Sequence, residues 1–514
     1  MANITQMDLI KADIEYHAKG ATNKDITKNI LNEWRNSETI KDMQEAEMYY
    51  KVKNTAIDLK TRNYKDEAGN TVQNTSLSNI KTKTAQYRKS VNQKVNFALS
   101  KPFVISCDND KYKEKWQDFL NDEIRAVIIR TGKNGINKGI GWCYTWINEK
   151  GNLEIVDTQP ETMYPAWHDT AHSELDFMVR DYILTAYNEN MTPQDLHKVE
   201  FWNKQIVEKY LDLSNSNEGT GDLVVDTNGE FELSEGEEER ATIQQTHMKK
   251  RDGSGISWDR VPFLFFKGNT DELPLLNECK VDIDSYDMLK SKAIDSLIDD
   301  IDPTIVIKNI GAEMGELEKA RRIIQNSRIM VVDNTGGADV LKVNTDISQV
   351  LAQLEIIKKD IQDNTNVVDL TTIQLGTNPS GNAMKSFYES LNIWCNGFES
   401  EFRVYMKNLK YFFDKWLSWQ GGYGTFEELQ AIPITFTLDR DMMINESDII
   451  SNIVALSDEL SQETKDEMNP YVESHEKEQK RRDEEEKKMQ EKQEVYQFEH
   501  DLDKENNKTV EEEK

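Results

Sequence analysis

The sequence predicts an α+β fold, and three features carry that prediction. Apolar residues step by threes and fours through Val281–Asp302, Asp346–Asp369 and Met384–Trp416, the period of an amphipathic helix. From Gly141 to Leu213 the period changes to two, as in strands with one buried face. Between the first two helices lie TIVIKNI and RIMVVDNTGGADVLKV, strand-like segments flanking the helical EMGELEKARRII.

Residues 1–60 alternate short amphipathic helical patterns with polar breaks and read as an arm followed by packed helices. In residues 79–101, NIKTKTAQYRKSVNQKVNFALSK, the side chains of Ile80, Thr84, Tyr87, Val91, Val95 and Ala98 fall at helical spacing, and Pro102 ends the run. This stretch holds six Lys or Arg and no acid. A core helix whose basic solvent face pairs with acidic neighbours is the plainer reading, and direct contact with DNA the sharper one. GWCYTWINEKGNLEIVDTQ predicts a hairpin turning at Glu149–Asn152, and DFMVRDYIL and KVEFWNKQIVEKYLDL continue the strand character. Between Ser214 and Ile256, Gly, Asp, Glu and Ser displace apolar residues, which predicts a long surface excursion.

Along Val281–Asp302, Asp284, Asp287, Ser291, Asp295, Asp299 and Asp302 share one helix face, opposite Tyr286, Leu289, Ala293, Leu297 and Ile301. The expectation is a packed apolar side and a solvated acidic side, stopped by Pro303. The next helix carries the stripe Ile347, Val350, Leu354, Ile357 and Ile361, with Asp346 and Gln349 as a cap pair. From Ser380 onward, Met384, Phe387, Leu391, Trp394, Phe398, Phe402, Tyr405, Leu409, Phe412 and Trp416 predict one core-packed helix of roughly 55 Å. Such length suggests an elongated subunit packed on copies of itself. After GGYG, IPITFTL reads as a strand, and helices follow around Ser447–Glu459 and Thr464–Glu467. The last 42 residues are low-complexity Glu, Lys, Gln and Arg, expected to project into solvent or to fold on a partner.

The length of 514 residues suits about three domains. Net charge is −30; Glu473–Lys514 contributes −6, so residues 1–472 hold −24. Affinity for nucleic acid comes mostly from cations that displace phosphate counterions, so this chain is not a general nucleic-acid binder. Cys107, Cys143, Cys279 and Cys395 form no C-x-x-C pair, which points to folding in a reducing interior. The N-terminus lacks the apolar core of a signal peptide, and no window approaches the roughly 18 apolar residues of a membrane span, so a soluble chain is expected.

The stretch GTNPSGNAMK imitates a phosphate-binding loop, yet Asn382 and Ala383 stand where that loop needs lysine and a hydroxyl. Lys385 comes three residues late, roughly 300° further around a helix. His168, Asp169 and His172 in HDTAH are the one close metal-type cluster; without H-E-x-x-H or a third ligand they read as loop residues. Asp299, Asp300 and Asp302 resemble a nuclease carboxylate set, but adjacent helical carboxylates point about 100° apart. Elbows of the form G-x-S-x-G and dinucleotide fingerprints are absent. Nothing in the sequence demands an enzyme, a metal or a cofactor.

Several stretches, in order, resemble portal proteins of tailed bacteriophages, particularly siphophages of Gram-positive hosts. They are AEMYYKVKN, NIKTKTAQYRKSVNQKVNFALSKPFVIS, GWCYTWINEKGNLEI, VPFLFFKGN, the acidic helix, GTNPSGNAMK, and LSDELSQETKDEMNPYVESHEKEQKR, spanning about residues 45–480. The excursion from Ser214 to Ile256 and the charged tail depart from the pattern. The resemblance implies a homo-oligomeric ring, usually of twelve, at one capsid vertex, through which double-stranded DNA passes. It implies as further partners the terminase large subunit, capsid and scaffolding proteins, and head-completion adaptors; it implies no membrane, cofactor or catalytic residue. By the same resemblance residues 1–30 are an N-terminal arm, 31–270 the wing, 271–302 and 346–369 the stem helices, 303–345 the clip, and 370–382 the tunnel loop. Residues 383–418 are then the long wing and crown helix, 419–472 the crown and 473–514 a charged tail. Thr372, Gln374, Thr377, Asn378, Ser380 and Asn382 are the implied DNA-facing loop residues, and Asp284, Asp287, Asp295, Asp299 and Asp302 an acidic stem face lining the passage. Two other readings are a DNA-processing enzyme of terminase or nuclease type using the Asp cluster, and a pore-less capsid scaffold or adaptor.

Overall fold

The computed structural model describes residues 22–65, 69–74, 77–187, 191–213, 223–226, 245–249, 254–299, 304–308, 337–341, 347–369, 388–440, 446–469, 471–472, 475 and 477–490. They belong to two compact units, one of residues 1–367 with 391–441, the other of 368–390 with 442–514.

The first unit opens with helices α1 (Asn23–Trp34) and α2 (Glu38–Tyr50). Thr22 and Asp25 form a reciprocal capping box on α1, and Ser37 accepts the Ile40 N–H at the start of α2, so each helix begins where a side chain can take an orphan amide. An extended segment then carries the small antiparallel pair β1 (Asn63–Lys65) and β2 (Thr71–Gln73). Helix α3 (Gln86–Leu99) follows. The helix expected from residue 79 therefore starts late: residues 78–84 are extended, and Ile80 and Thr84 lie outside it. Lys94 of α3 also departs from the basic-solvent-face expectation. It is buried, with Nζ 4.6 Å from the centre of the Trp394 ring, and burial lowers its pKa to about 8.

After β3 (Val104–Ser106), α4 (Asp110–Phe119) and α5 (Asp122–Lys138), the alternating region folds as two sheets. Strands β4 (Ile140–Ile147) and β5 (Leu153–Thr158) form the expected hairpin. Its turn is closed by Asn148 Oδ1, which accepts the Lys150 and Asn152 N–H groups, with Gly151 at φ 86°. Strands β6 (Met163–Trp167), β7 (Leu175–Tyr187), β8 (Pro193–Asn203) and β9 (Ile206–Asp212) form an antiparallel meander. Parts of the excursion are folded into this sheet, against expectation: β10 (Leu223–Val225) and β11 (Gln245–Thr246) both pair with β9. Leu223 is buried, and Asp226 meets Lys198 at 2.8 Å, which explains how a polar stretch keeps two paired strands. The short β12 (Met248–Lys249) and β13 (Gly255–Ile256) pair with each other, and β14 (Phe263–Lys267) completes a three-stranded sheet in the order β14-β4-β5.

His247 staples the returning excursion. Its Nε2–H donates to the Asn203 carbonyl at 2.9 Å and its Nδ1 accepts the Trp258 N–H at 3.3 Å, a pattern open only to the neutral ring. Burial lowers its pKa to about 4, against the weaker upward pull of the Asn203 and Ile206 hydrogen bonds and of Asp259. An unfolded ring protonates near its ordinary value, so this contribution is complete above about pH 6.5 and is lost progressively as pH falls toward 4, by on the order of 3 kcal/mol. Denaturant titrations at pH 7 and pH 4.5 are expected to show a smaller acid loss in His247→Gln than in wild type; equal losses would rule the staple out.

Helix α6 (Leu276–Asp299) leads to β15 (Thr304–Lys308), which pairs with β16 (Gly337–Leu341), and α7 (Ile347–Asn364) packs back on α6. Asn364 near the end of α7 reaches Asp282 near the start of α6 at 2.9 Å. Asp346, expected to cap α7, lies outside the described residues. The long helix α8 runs Glu389–Gln420, about 48 Å. Its stripe is core as expected: Leu391, Phe398, Phe402, Tyr405, Leu409 and Phe412 are buried, joined by Cys395, Phe413 and Leu417. Phe266 of β14 stacks on Phe398 and Tyr405, and Trp116 of α4 lies 4.2 Å from Phe413. Met384 and Phe387 lie outside the described residues. Helix α9 (Phe426–Ala431) and β17 (Thr435–Thr437) close the unit, β17 pairing with β3.

The second unit holds α10 (Glu446–Ala455), α11 (Gln462–Met468) and a helical stretch through 477–490. Asp466 of α11 accepts both guanidinium branches of Arg482, at 2.7 and 2.9 Å, and His475 Nδ1 at 2.9 Å. The charged tail is thus anchored at its start, where the sequence suggested only projection or a partner.

Candidate ring and channel segments

The acidic face of α6 is buried, which corrects the expectation of a solvated stripe. Asp287, Ser291 and Asp295 are fully inaccessible, and Asp284 and Asp299 are partly covered. The extended segment 78–84 runs antiparallel along them, and every second backbone N–H donates to every fourth helix side chain. Ser78 N–H meets Asp299 Oδ1 at 3.1 Å, Ile80 N–H meets Asp295 Oδ1 at 2.7 Å, Thr82 N–H meets Ser291 Oγ at 2.9 Å, and Thr84 N–H meets Asp287 Oδ1 at 3.1 Å. The two periods nearly match, about 6.6 Å for two strand residues against about 6.0 Å for four helix residues.

The preceding chain supplies the charges. Lys60 Nζ pairs with Asp295 and also donates to the Ile80 carbonyl at 2.8 Å; Arg62 pairs with Asp299; Asn54 donates to Asp287; Tyr49 donates to Asp284 at 2.5 Å. A carboxylate taken out of water is tolerated only when its lone pairs are filled, and here Asp287, Asp295 and Asp299 each receive a backbone as well as a side-chain donor, while the partly covered Asp284 takes the Tyr49 hydroxyl. Asp287 has no cationic partner among these contacts, and burial raises its pKa, against the hydrogen bonds from Thr84 and Asn54. Burial also pushes Asp299 upward, but hydrogen bonds from Arg62 and Ser78 outweigh it and hold the carboxyl below its ordinary value.

The inaccessible Asp287 and Asp295 are therefore structural within one subunit, spent on the segment that covers them. The sequence offered one signal: Ser291, a small hydroxyl in an otherwise acidic row, marks where another segment comes close. Asn54, Lys60, Arg62 and Ser78 were missed because their partners lie more than two hundred residues away. Asp300 and Asp302 lie outside the described residues, as do Thr372, Gln374, Thr377, Asn378, Ser380 and Asn382.

The HDTAH residues do not converge. His168 Nδ1 meets Asp176 at 3.1 Å, His172 Nδ1 meets Glu272 at 2.7 Å, and Asp169 accepts the Ser173 N–H. Among the described residues no cluster of three His, Cys, Asp or Glu has metal-ligating geometry, and no helix is long and apolar enough to cross a membrane. Buried Cys143 is pushed up to about 12 by burial, against its hydrogen bonds with Thr131 and from Tyr405, which leaves it a packed thiol.

The phage portal protein family described as SPP1 Gp6-like matches residues 31–493. The portal protein of Bacillus phage SPP1 is 26% identical over 432 residues, 84% of this chain and 80% of that relative. The portal protein of Clostridium phage phiCD119 is 25% identical over 329 residues, 61% of this chain and 66% of the relative. Among solved structures, an HK97 family phage portal protein from Corynebacterium diphtheriae aligns at 10% identity and a TM-score of 0.33, covering 74% of this chain and 99% of that one. A chain from the virion of a native gene transfer agent particle aligns at 12% identity and a TM-score of 0.39, covering 84% and 93%. With nine-tenths of its length inside the family match, and with both curated relatives being portal proteins, the chain belongs to the SPP1 Gp6-like family of phage portal proteins.

Proposed function

We propose that this chain assembles into a closed ring of twelve copies at one capsid vertex, through which the genome is packaged and later ejected. The family match over residues 31–493 carries this reading. Residues 31–270 form the wing, 271–302 and 346–369 the stem, 303–345 the clip that docks the terminase large subunit, and 419–472 the crown. Assembly takes place in the host cytoplasm with capsid and scaffolding proteins, and head-completion adaptors bind later. The function is mechanical, so no catalytic residue or cofactor is assigned. The passage is not assigned to the α6 carboxylates, which are spent on the 54–84 segment within the subunit.

The test is electron microscopy of the purified protein viewed down the particle axis. Rings with a central hole wide enough for duplex DNA are expected; solid rods or unringed oligomers would favour a scaffold or adaptor. Residues 370–382 are assigned as the tunnel loop facing DNA. Deleting Thr377–Ser380 is then expected to leave ring assembly intact while reducing packaged or retained DNA, measured by nuclease protection in assembled heads. Loss of the ring itself would show that the loop is misplaced.

A further inference from the structure

On the ring reading, the structure assigns the contact that closes the ring: the outward side of the 51–84 segment of one copy packs against the outward side of α7 of the next. Three observations lead there. The first is layering. Asp282, which meets α7 through Asn364, and Ser291, which takes the Thr82 N–H, are nine residues apart on α6. Nine residues turn a helix by about 900°, which is half a turn beyond two full ones. The 51–84 segment and α7 therefore cover opposite faces of α6, and each turns its other side outward.

The second observation is apolar exposure on both outward sides. Leu59 is 82% exposed, with Leu77 and Ile80 also exposed; on α7, Ile356, about 160° around the helix from the buried Leu354, is 53% exposed. Apolar residues left bare on both outer surfaces of one layer suit a head-to-tail contact, in which unlike patches meet and the rotation closes a ring. Burial of α6's carboxylates by the chain's own segment removes the alternative of α6 meeting the neighbour through that face. The third observation is charge. Exposed or half-exposed Lys53, Lys81 and Lys83 stand against Asp58 on the 51–84 segment, and α7 offers Glu355, Asp360 and Asp363 beside Lys358 and Lys359. A net-positive strip thus faces a net-negative helix, which selects a second copy over a partner of either uniform sign.

Leu59→Asp spoils one side of this contact and Ile356→Asp the other. Each variant alone is expected to lose rings in negative-stain images and to sediment as monomer, with a melting temperature close to wild type because both side chains are exposed. Mixed in equal amounts, the two still share one good contact and are expected to yield dimers of one copy each by native mass spectrometry. Should an Asp variant fail to fold, Leu59→Ser or Ile356→Ser takes its place. Normal rings from either folded variant, or a mixture that stays monomeric, would overturn the assignment. Absence of rings in wild type would instead overturn the ring reading on which it rests.

Discussion

Asp295→Ala is expected to lower the stability of the subunit by about 3–5 kcal/mol, the usual range when one partner of a buried ion pair is removed. The carboxylate is inaccessible and receives Lys60 Nζ and the Ile80 N–H. Its loss strands a buried ammonium and a backbone donor together, and each must then be desolvated without compensation. The measurement is the denaturant midpoint followed by tryptophan fluorescence. A control separates the cost of an orphaned charge from the worth of the pair: Lys60→Met with Asp295→Leu removes both charges and should recover most of the loss. A single variant within about 0.5 kcal/mol of wild type would show that the 78–84 segment is not held by this rung.

Phe398→Asp is expected to abolish soluble folded protein. Phe398 is buried between the stacked rings of Phe266 and Trp394, with centroids 4.9 and 5.0 Å away. Truncating a core aromatic costs about 3–5 kcal/mol, and an unpaired carboxylate adds several more. That sum reaches the whole stability of a typical domain, about 5–15 kcal/mol. Expression, solubility and a thermal melt read the outcome; a soluble protein with wild-type melting would mean that the α8 stripe is not core. Phe398→Leu keeps the apolar volume in part and should remain folded.

The elements that were legible in the sequence are those whose partners are local or whose period is strong. The β4–β5 hairpin was readable because Asn148 and Gly151 make the turn from adjacent residues. The α8 stripe was readable because thirty-two helical residues repeat one face many times over. What failed was the assignment of polar faces. A row of aspartates looks solvated when only its own helix is considered, and residues 79–84 look helical when only their side chains are spaced out. Each error hides the other: the segment is extended because its amides bond to the aspartates, and the aspartates are buried because the segment covers them. No single-segment pattern encodes that pairing. The excursion shows the same limit, since β10 and β11 are strands by virtue of β9 rather than by composition.

The contact between strand and helix behaves like a vernier scale. One graduation advances about 6.6 Å and the other about 6.0 Å, so the marks drift apart by about 0.6 Å per division. The amide-to-acceptor distances register this drift: 2.7 and 2.9 Å at the two middle marks, and 3.1 Å at either extremity. A fifth mark in line would overshoot the reach of a hydrogen bond. The scale is thus self-terminating, and a longer helix could not be covered by simply extending the same strip of chain; it would need an inserted kink to bring the graduations back into coincidence.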